Sequence, residues 1–240
     1  DVDVDYLLIS KPLVYYRWRV DLSGINSAMP SLRLFAVCAG HSAGDKALFE
    51  RHGTRPAPDS KPAEIRLEVP WRSQRADDVP KRIREAVCCP TSIAMVLEYH
   101  GKDLTTSDVC DLNYDRDYRI WGVWPKSAQT LSRFGLRSWV MQARSLEDLR
   151  PWLERGLPVI ISVKAFKGDI TTPRYYEATG HIMVVSGMDA EGNLWINDPY
   201  GHRESEPLKW TRAEMEKILI GRGGVVIVAE PRSPRRSGSR

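Results

Sequence analysis

Short apolar runs alternate with polar connections along most of the chain, and one run differs from the rest. Between Cys88 and Gly101 the sequence reads Cys-Cys-Pro-Thr-Ser-Ile-Ala-Met-Val-Leu-Glu-Tyr-His-Gly. Ile93, Ala94, Met95, Val96 and Leu97 follow one another without a polar break, so as a helix they cover most of its circumference. That pattern predicts a helix buried on several sides rather than along one stripe. Pro90 suits a first helical position, where its missing N–H has no intrahelical acceptor to lose. Gly101 is a stop signal. The helix is expected over about residues 89–100, with Cys89 as its cap residue and Cys88 just outside.

The apolar pattern before this helix has the period of strands. Residues 4–10, 13–22 and 32–38 are rich in Val, Tyr, Trp, Leu and Phe, and in Tyr16-Arg17-Trp18-Arg19-Val20 the arginines fall on one face. Three short strands are few for a separate sheet. Residues 1–38 are therefore read as an all-β accessory segment, either the remnant of a β-sandwich or strands that dock on the domain C-terminal to them. Asp1-Val2-Asp3-Val4-Asp5 lacks the glycine and distal glutamate of a calcium loop and is read as an exposed strand face. Residues 39–64, with Pro56, Pro58 and Pro62, read as a linker. A strand over 65–69 and a polar loop over 75–85 lead to the central helix.

Beyond Gly101 the period alternates. Thr105 or Thr106 caps a short helix carrying Cys110, and Trp121-Gly122-Val123-Trp124-Pro125 opens a helix that Gly135 stops. Ser145-Leu146-Glu147-Asp148 and Thr211-Arg212-Ala213-Glu214 have the spacing of capping boxes. Strands are expected over 158–165, 181–187, 193–197 and 224–229, with a turn at Asp189-Ala190-Glu191-Gly192 joining the middle two. Helices first and an antiparallel sheet after is an α+β arrangement, and it fills residues 65–230.

Composition narrows the class without changing this picture. The 240 residues are 42% hydrophobic and 28% charged, ordinary for a globular protein. The net charge is +4, and four arginines, Arg232, Arg235, Arg236 and Arg240, lie in the last nine residues. The body is thus near neutral, no nucleic-acid partner is expected, and residues 231–240 read as a disordered basic tail. No apolar run approaches the roughly 18 residues of a membrane span. The chain opens at Asp1 rather than methionine, so a mature form or a fragment is expected. Cys38, Cys88, Cys89 and Cys110 contain no C-x-x-C pair and form no disulfide framework, so neither zinc nor another cofactor is expected. They leave the compartment open, with an extracytoplasmic setting preferred.

The chemistry begins with the thiol. A cysteine at a helix start lies near unpaired N–H groups and the positive end of the dipole, which favours thiolate. A nucleophilic cysteine also needs a base, a group that orients the base, and donors for the oxyanion. His181 opens the apolar run Ile182-Met183-Val184-Val185, and Asp198 follows Leu194-Trp195-Ile196-Asn197 and precedes Pro199. The turn at 189–192 makes those two strands neighbours, so the aspartate could reach the imidazole. Each residue also has a plain structural reading: Cys88 as core, His181 as a strand-edge histidine, Asp198 as a turn aspartate. Trp121 and Trp124 either line a groove or fill core.

Taken together, four blocks resemble cysteine-peptidase family thirty-nine, the bacterial group of bacteriocin double-glycine leader peptidases, in its stand-alone branch. They are Val69-Pro70-Trp71-Arg72-Ser73-Gln74, Cys88-Cys89-Pro90-Thr91-Ser92-Ile93-Ala94-Met95-Val96-Leu97, Gly180-His181-Ile182-Met183-Val184-Val185 and Asn197-Asp198-Pro199. The similarity covers about residues 65–220. It implies a papain-like thiol protease with Cys88 as nucleophile, His181 as base and acid, Asp198 as orienting residue and Gln74 as oxyanion donor, acting on a peptide or protein. Cys89 departs from the small residue, often glycine, usual at that position. The transporter spans of leader-processing relatives are absent, so their double-glycine substrate does not carry over. Two other classes fit the same residues: an acyl transferase of transglutaminase or phytochelatin-synthase type, and a binding module without activity.

Overall fold

The computed structural model describes residues 62–171, 178–201 and 207–232. The accessory strands expected over 1–38, nearly all of the linker, and the tail beyond Arg232 lie outside the described residues. In chain order the strands are β1 (Ile65–Arg66), β2 (Leu136–Gln142), β3 (Val159–Ala165), β4 (Ala178–Met188), β5 (Leu194–Asn197), β6 (Leu208–Trp210) and β7 (Val225–Pro231). The α-helices are α1 (Cys88–Tyr99), α2 (Thr106–Asn113), α3 (Trp124–Arg133), α4 (Arg150–Glu154) and α5 (Arg212–Ile218). The seven strands form one sheet in the order β2-β7-β3-β4-β5-β6, with β1 paired to β4. Every pairing is antiparallel.

The central strands are apolar without a break because both faces of the sheet are covered. Ile160, Ile182, Val184, Ile227 and Ala229 pack with Ile93, Met95 and Leu97 of α1 and Leu131 of α3. Their strand neighbours Val159, Ile161, Met183, Val185, Val226 and Val228 pack on the opposite face with Leu149, Leu153, Trp210, Met215 and Ile218. The period of two is present, but it sorts residues between two cores rather than between core and water. Helix α1 is the element buried all round: every residue from Cys89 to Leu97 is buried.

The capping spacings close as hydrogen bonds. Thr105 caps α2, accepting from Asp108 N–H while the Asp108 carboxylate accepts from Thr105 N–H. Thr211 and Glu214 do the same at α5.

Three local expectations need correction. Helix α1 begins at Cys88 with Val87 as its cap residue, so Pro90 is the third helical residue and not the first. This is allowed because none of the first four N–H groups of a helix has an intrahelical acceptor. The strand expected over 65–69 stops at Arg66. Gly187 explains where it docks: a Cβ there would lie 2.3 Å from the Ile65 carbonyl oxygen, so the close approach of β1 to β4 requires glycine. The sheet also has two strands, β2 and β6, that the apolar pattern did not reveal.

Candidate active site

Cys88, His181 and Asp198 come from three separate elements and converge at the start of α1. The first intrahelical bond runs from Thr91 N–H to the Val87 carbonyl, 3.1 Å. Pro90 has no N–H, so the N–H groups there that lack an acceptor inside the helix are those of Cys88 and Cys89. The His181 ring and the N–H groups of Ile182 and Cys89 favour the charged form of the Cys88 sulfur. Burial pushes this thiol up, but the imidazole bond and charge with the two N–H groups outweigh it and hold Cys88 below the ordinary thiol range. The same strand residue anchors the helix further along: Ser92 Oγ donates to the Ile182 carbonyl at 3.0 Å. Ile182 thus meets the thiol with its N–H and the next turn of α1 with its C=O.

His181 is 8% exposed, and its Nε2 lies 2.7 Å from Asp198 Oδ1. With Nε2 committed, Nδ1 is the ring atom left for the sulfur. Burial pushes the imidazole down, while Asp198 and then Cys88 push it up more strongly, to about 10. A β-bulge precedes it: Val163 pairs with His181 but Ala165 pairs with Ala178, so β4 carries one extra residue there. Bulges of this kind re-aim a side chain next to a site. Asp198 is fully buried. Its backbone carbonyl accepts from Gly201 N–H at 3.0 Å and its Oδ1 from Tyr200 N–H at 2.9 Å. One carboxylate oxygen thus meets both the imidazole and an N–H of its own turn.

Gln74 arrives by a route that no spacing in the sequence announces. The segment 69–74 is bonded residue by residue along 197–199. Asn197 Nδ2 donates to the Val69 carbonyl at 2.9 Å, Trp71 Nε1 to the Asp198 carbonyl at 2.8 Å, and Gln74 N–H to the Pro199 carbonyl at 2.8 Å. Gln74 is 2% exposed; its Nε2 donates to the Arg84 carbonyl at 2.6 Å, and among the described residues its Oε1 has no partner. Arg84 in turn holds the carbonyls of Val79 and Ala76, each at 2.9 Å, and closes the loop. Trp71 and Asn197 are the residues that sequence reasoning left without a role. Their partners lie more than a hundred positions away, so no local signal could have exposed them.

Cys89 points elsewhere. It is 1% exposed, 3.0 Å from Ser127 Oγ and 3.6 Å from Asn113 Nδ2, among the side chains of α2 and α3. Trp121 is half-buried against Val79, Val87 and Cys110, with Nε1 donating to the Cys110 carbonyl at 3.0 Å. Trp124 is half-buried in the same cluster as Cys88. A cleft of about 440 Å³ between Trp71, Arg72, Asp78 and Leu104 touches none of Cys88, His181 and Asp198. Among the described residues no three His, Cys, Asp or Glu side chains gather as a metal site, and no helix is long and apolar enough to cross a membrane.

The arrangement can generate a thiolate beside an imidazolium, the pair that acyl transfer to sulfur requires. No curated protein matches the chain. Among solved structures, a C39-like peptidase from Bacillus anthracis is 19% identical, covering 72% of this chain and 100% of its own, with a TM-score of 0.54. The double glycine motif protease of an AMS/PCAT transporter, solved with the leader peptide, is 18% identical over 70% of this chain and 98% of its own, with a TM-score of 0.48. Xylellain, a cysteine protease from Xylella fastidiosa, is 12% identical over 72% and 88%, with a TM-score of 0.42. At these identities the likeness is one of fold, and the first of the three carries it. The Peptidase_C39 like family matches residues 66–220. That span is well over half of the chain, which therefore belongs to this family and is a cysteine-type peptidase of α+β, papain-like fold.

Proposed function

We propose that the chain hydrolyses peptide bonds in a peptide or protein through Cys88, His181 and Asp198, with Gln74 as an oxyanion donor. The observation that carries this reading is the single imidazole held at Nε2 by Asp198, 2.7 Å away, which also favours the Cys88 thiolate. The thiolate attacks the scissile carbonyl carbon, forming a C–S bond and moving the π electrons to oxygen. The Cys88 N–H, which has no acceptor within the helix, and the second hydrogen of Gln74 Nε2 are the donors for that oxygen. Collapse breaks the C–N bond, and the imidazolium of His181 gives its proton to the leaving amine. Neutral His181 then takes a proton from water, the hydroxide attacks the thioester, and the carboxylic acid leaves as the thiolate returns. Asp198 stays ionised and keeps the ring in the tautomer both half-reactions need.

The test is digestion of a peptide library with added hydroxylamine, read by mass. Fragments whose masses sum to substrate plus one water, absent with Cys88→Ala, are expected. Cleavage that survives in Cys88→Ala would overturn the assignment. Products dominated by the hydroxylamine adduct would make the protein an acyl transferase instead.

A further inference from the structure

Three side chains outside the catalytic set join the three segments that carry it. Arg75 follows Gln74, Glu85 precedes Cys88 by three positions, and Tyr200 follows Asp198 by two. Arg75 donates from Nε and Nη2 to the two oxygens of Glu85, each at 2.9 Å. The face of the same guanidinium lies over the Tyr200 ring, 3.9 Å from its centroid. Tyr200 stands edge-on to His181, with ring centroids 6.4 Å apart and planes at 86°. Its N–H donates to Asp198 Oδ1, the oxygen that also holds His181. The guanidinium is used on its edge by a carboxylate and on its face by an aromatic ring, which fixes it in a way a lysine could not match.

The fold alone does not call for this arrangement. Arg75 and Glu85 have side chains 39% and 67% exposed, and exposed ion pairs contribute little to stability once side-chain ordering is counted. What the pair does accomplish is positional. A tyrosine ring beside the His181–Asp198 bond excludes water from it, and an ionic hydrogen bond strengthens as the surrounding dielectric falls. We propose that Arg75 and Glu85 form a clasp that holds the Tyr200 ring over the His181–Asp198 pair, making Tyr200 a positioning residue for the general base. The proposal rests on the catalytic roles of Cys88, His181 and Asp198.

Among the described residues, the titratable and charged groups that face the pair are Cys88, Tyr200 and, through the tyrosine ring, Arg75 with Glu85. Arg72 is directed to Glu98 and the Leu104 carbonyl, and Arg84 to backbone carbonyls of its own loop. Without the shield, Asp198 would hold the imidazolium less firmly and the imidazolium would hold the thiolate less firmly. The pH window of turnover, which needs the thiolate and the imidazolium together, should then narrow from both ends.

The experiment measures peptide turnover and, without peptide, the rate at which iodoacetamide alkylates Cys88 from acid to alkaline pH. Tyr200→Ala should lower kcat by about tenfold with KM within about twofold, should move the acid limb of alkylation to higher pH, and should move the alkaline limb of turnover to lower pH. Tyr200→Phe should restore most of the turnover and the profile, because the ring and not the hydroxyl acts. Arg75→Ala should cost about threefold, and the double variant should be no worse than Tyr200→Ala, since both act through one device. An unaltered alkylation profile in Tyr200→Ala, a loss confined to KM, or multiplicative losses in the double variant would overturn the clasp. Arg75→Ala and Glu85→Ala are surface changes and keep the test open if Tyr200→Ala fails to fold. An inert Cys88 in the unaltered protein would instead overturn the catalytic reading, and the clasp with it.

Discussion

Cys88 and Cys89 are neighbours at the start of one helix, and they share its first turn and its dipole. Their surroundings differ in nearly every other respect. Cys88 turns toward β4, where the His181 ring and the Ile182 N–H reach its sulfur. Cys89 turns toward α2 and α3, where Ser127 and Asn113 offer neutral partners at 3.0 and 3.6 Å. The helix start is common to both, so it cannot be what separates a nucleophile from a packed thiol. The separating feature is a buried imidazole whose other nitrogen is held by a carboxylate. A third thiol, Cys110, supplies the opposite extreme. Burial and the nearby Asp111 and Asp78 charges push it up to about 12.

That comparison can be broken most severely by removing the imidazole. In His181→Ala, Cys88 would keep its helix start and lose what distinguishes it from Cys89. Turnover should fall by at least about 10³-fold, and Cys88 alkylation at mildly acidic pH should fall with it. A His181→Ala variant with full turnover would end the account. A smaller loss is expected in Asp198→Ala, about 10²-fold in kcat, because the carboxylate orients and does not react. The alkaline limb of turnover should shift down from about 10, since the strongest group raising His181 is gone. The smallest effect belongs to the other thiol. Ser127→Ala removes a partner of Cys89, and it should cost about 1 kcal/mol of stability by denaturant titration while leaving kcat within about twofold. A large loss of turnover there would mean that the two sides of the helix start are coupled.

The same two sides show how far the residues alone could be read. Helix α1 announced itself, because an unbroken run from Ile93 to Leu97 between Pro90 and Gly101 has few other interpretations. The run after His181 and the turn at Asp198 were legible for the same reason. Strands β2 and β6 were not, and both are outermost in the sheet. An edge strand with one neighbour has a less regular buried face, and Leu136–Gln142 accordingly mixes Arg137, Ser138 and Gln142 with apolar residues. Arg137 is there to pair with Glu230, its register partner on β7. The start of α1 lies two residues earlier than Pro90 suggests, because proline is tolerated throughout the first helical turn and does not mark one position within it. Long-range polar contacts left no trace in the sequence: the bonds of Val69, Trp71 and Gln74 to residues 197–199 depend on register, which local patterns do not encode.

The central claim concerns which of two adjacent thiols is ionised, and it can be read directly. The folded protein is treated briefly with iodoacetamide at a series of pH values, and the modified cysteine is located by mass after digestion. Cys88 should carry nearly all of the label at about pH 6, where the imidazolium of His181 is fully formed and the thiolate beside it is favoured. Cys89 and Cys110 should remain unmodified until the protein is unfolded. Label on Cys89 before Cys88, or a Cys88 rate that rises only in the ordinary thiol range, would contradict the account.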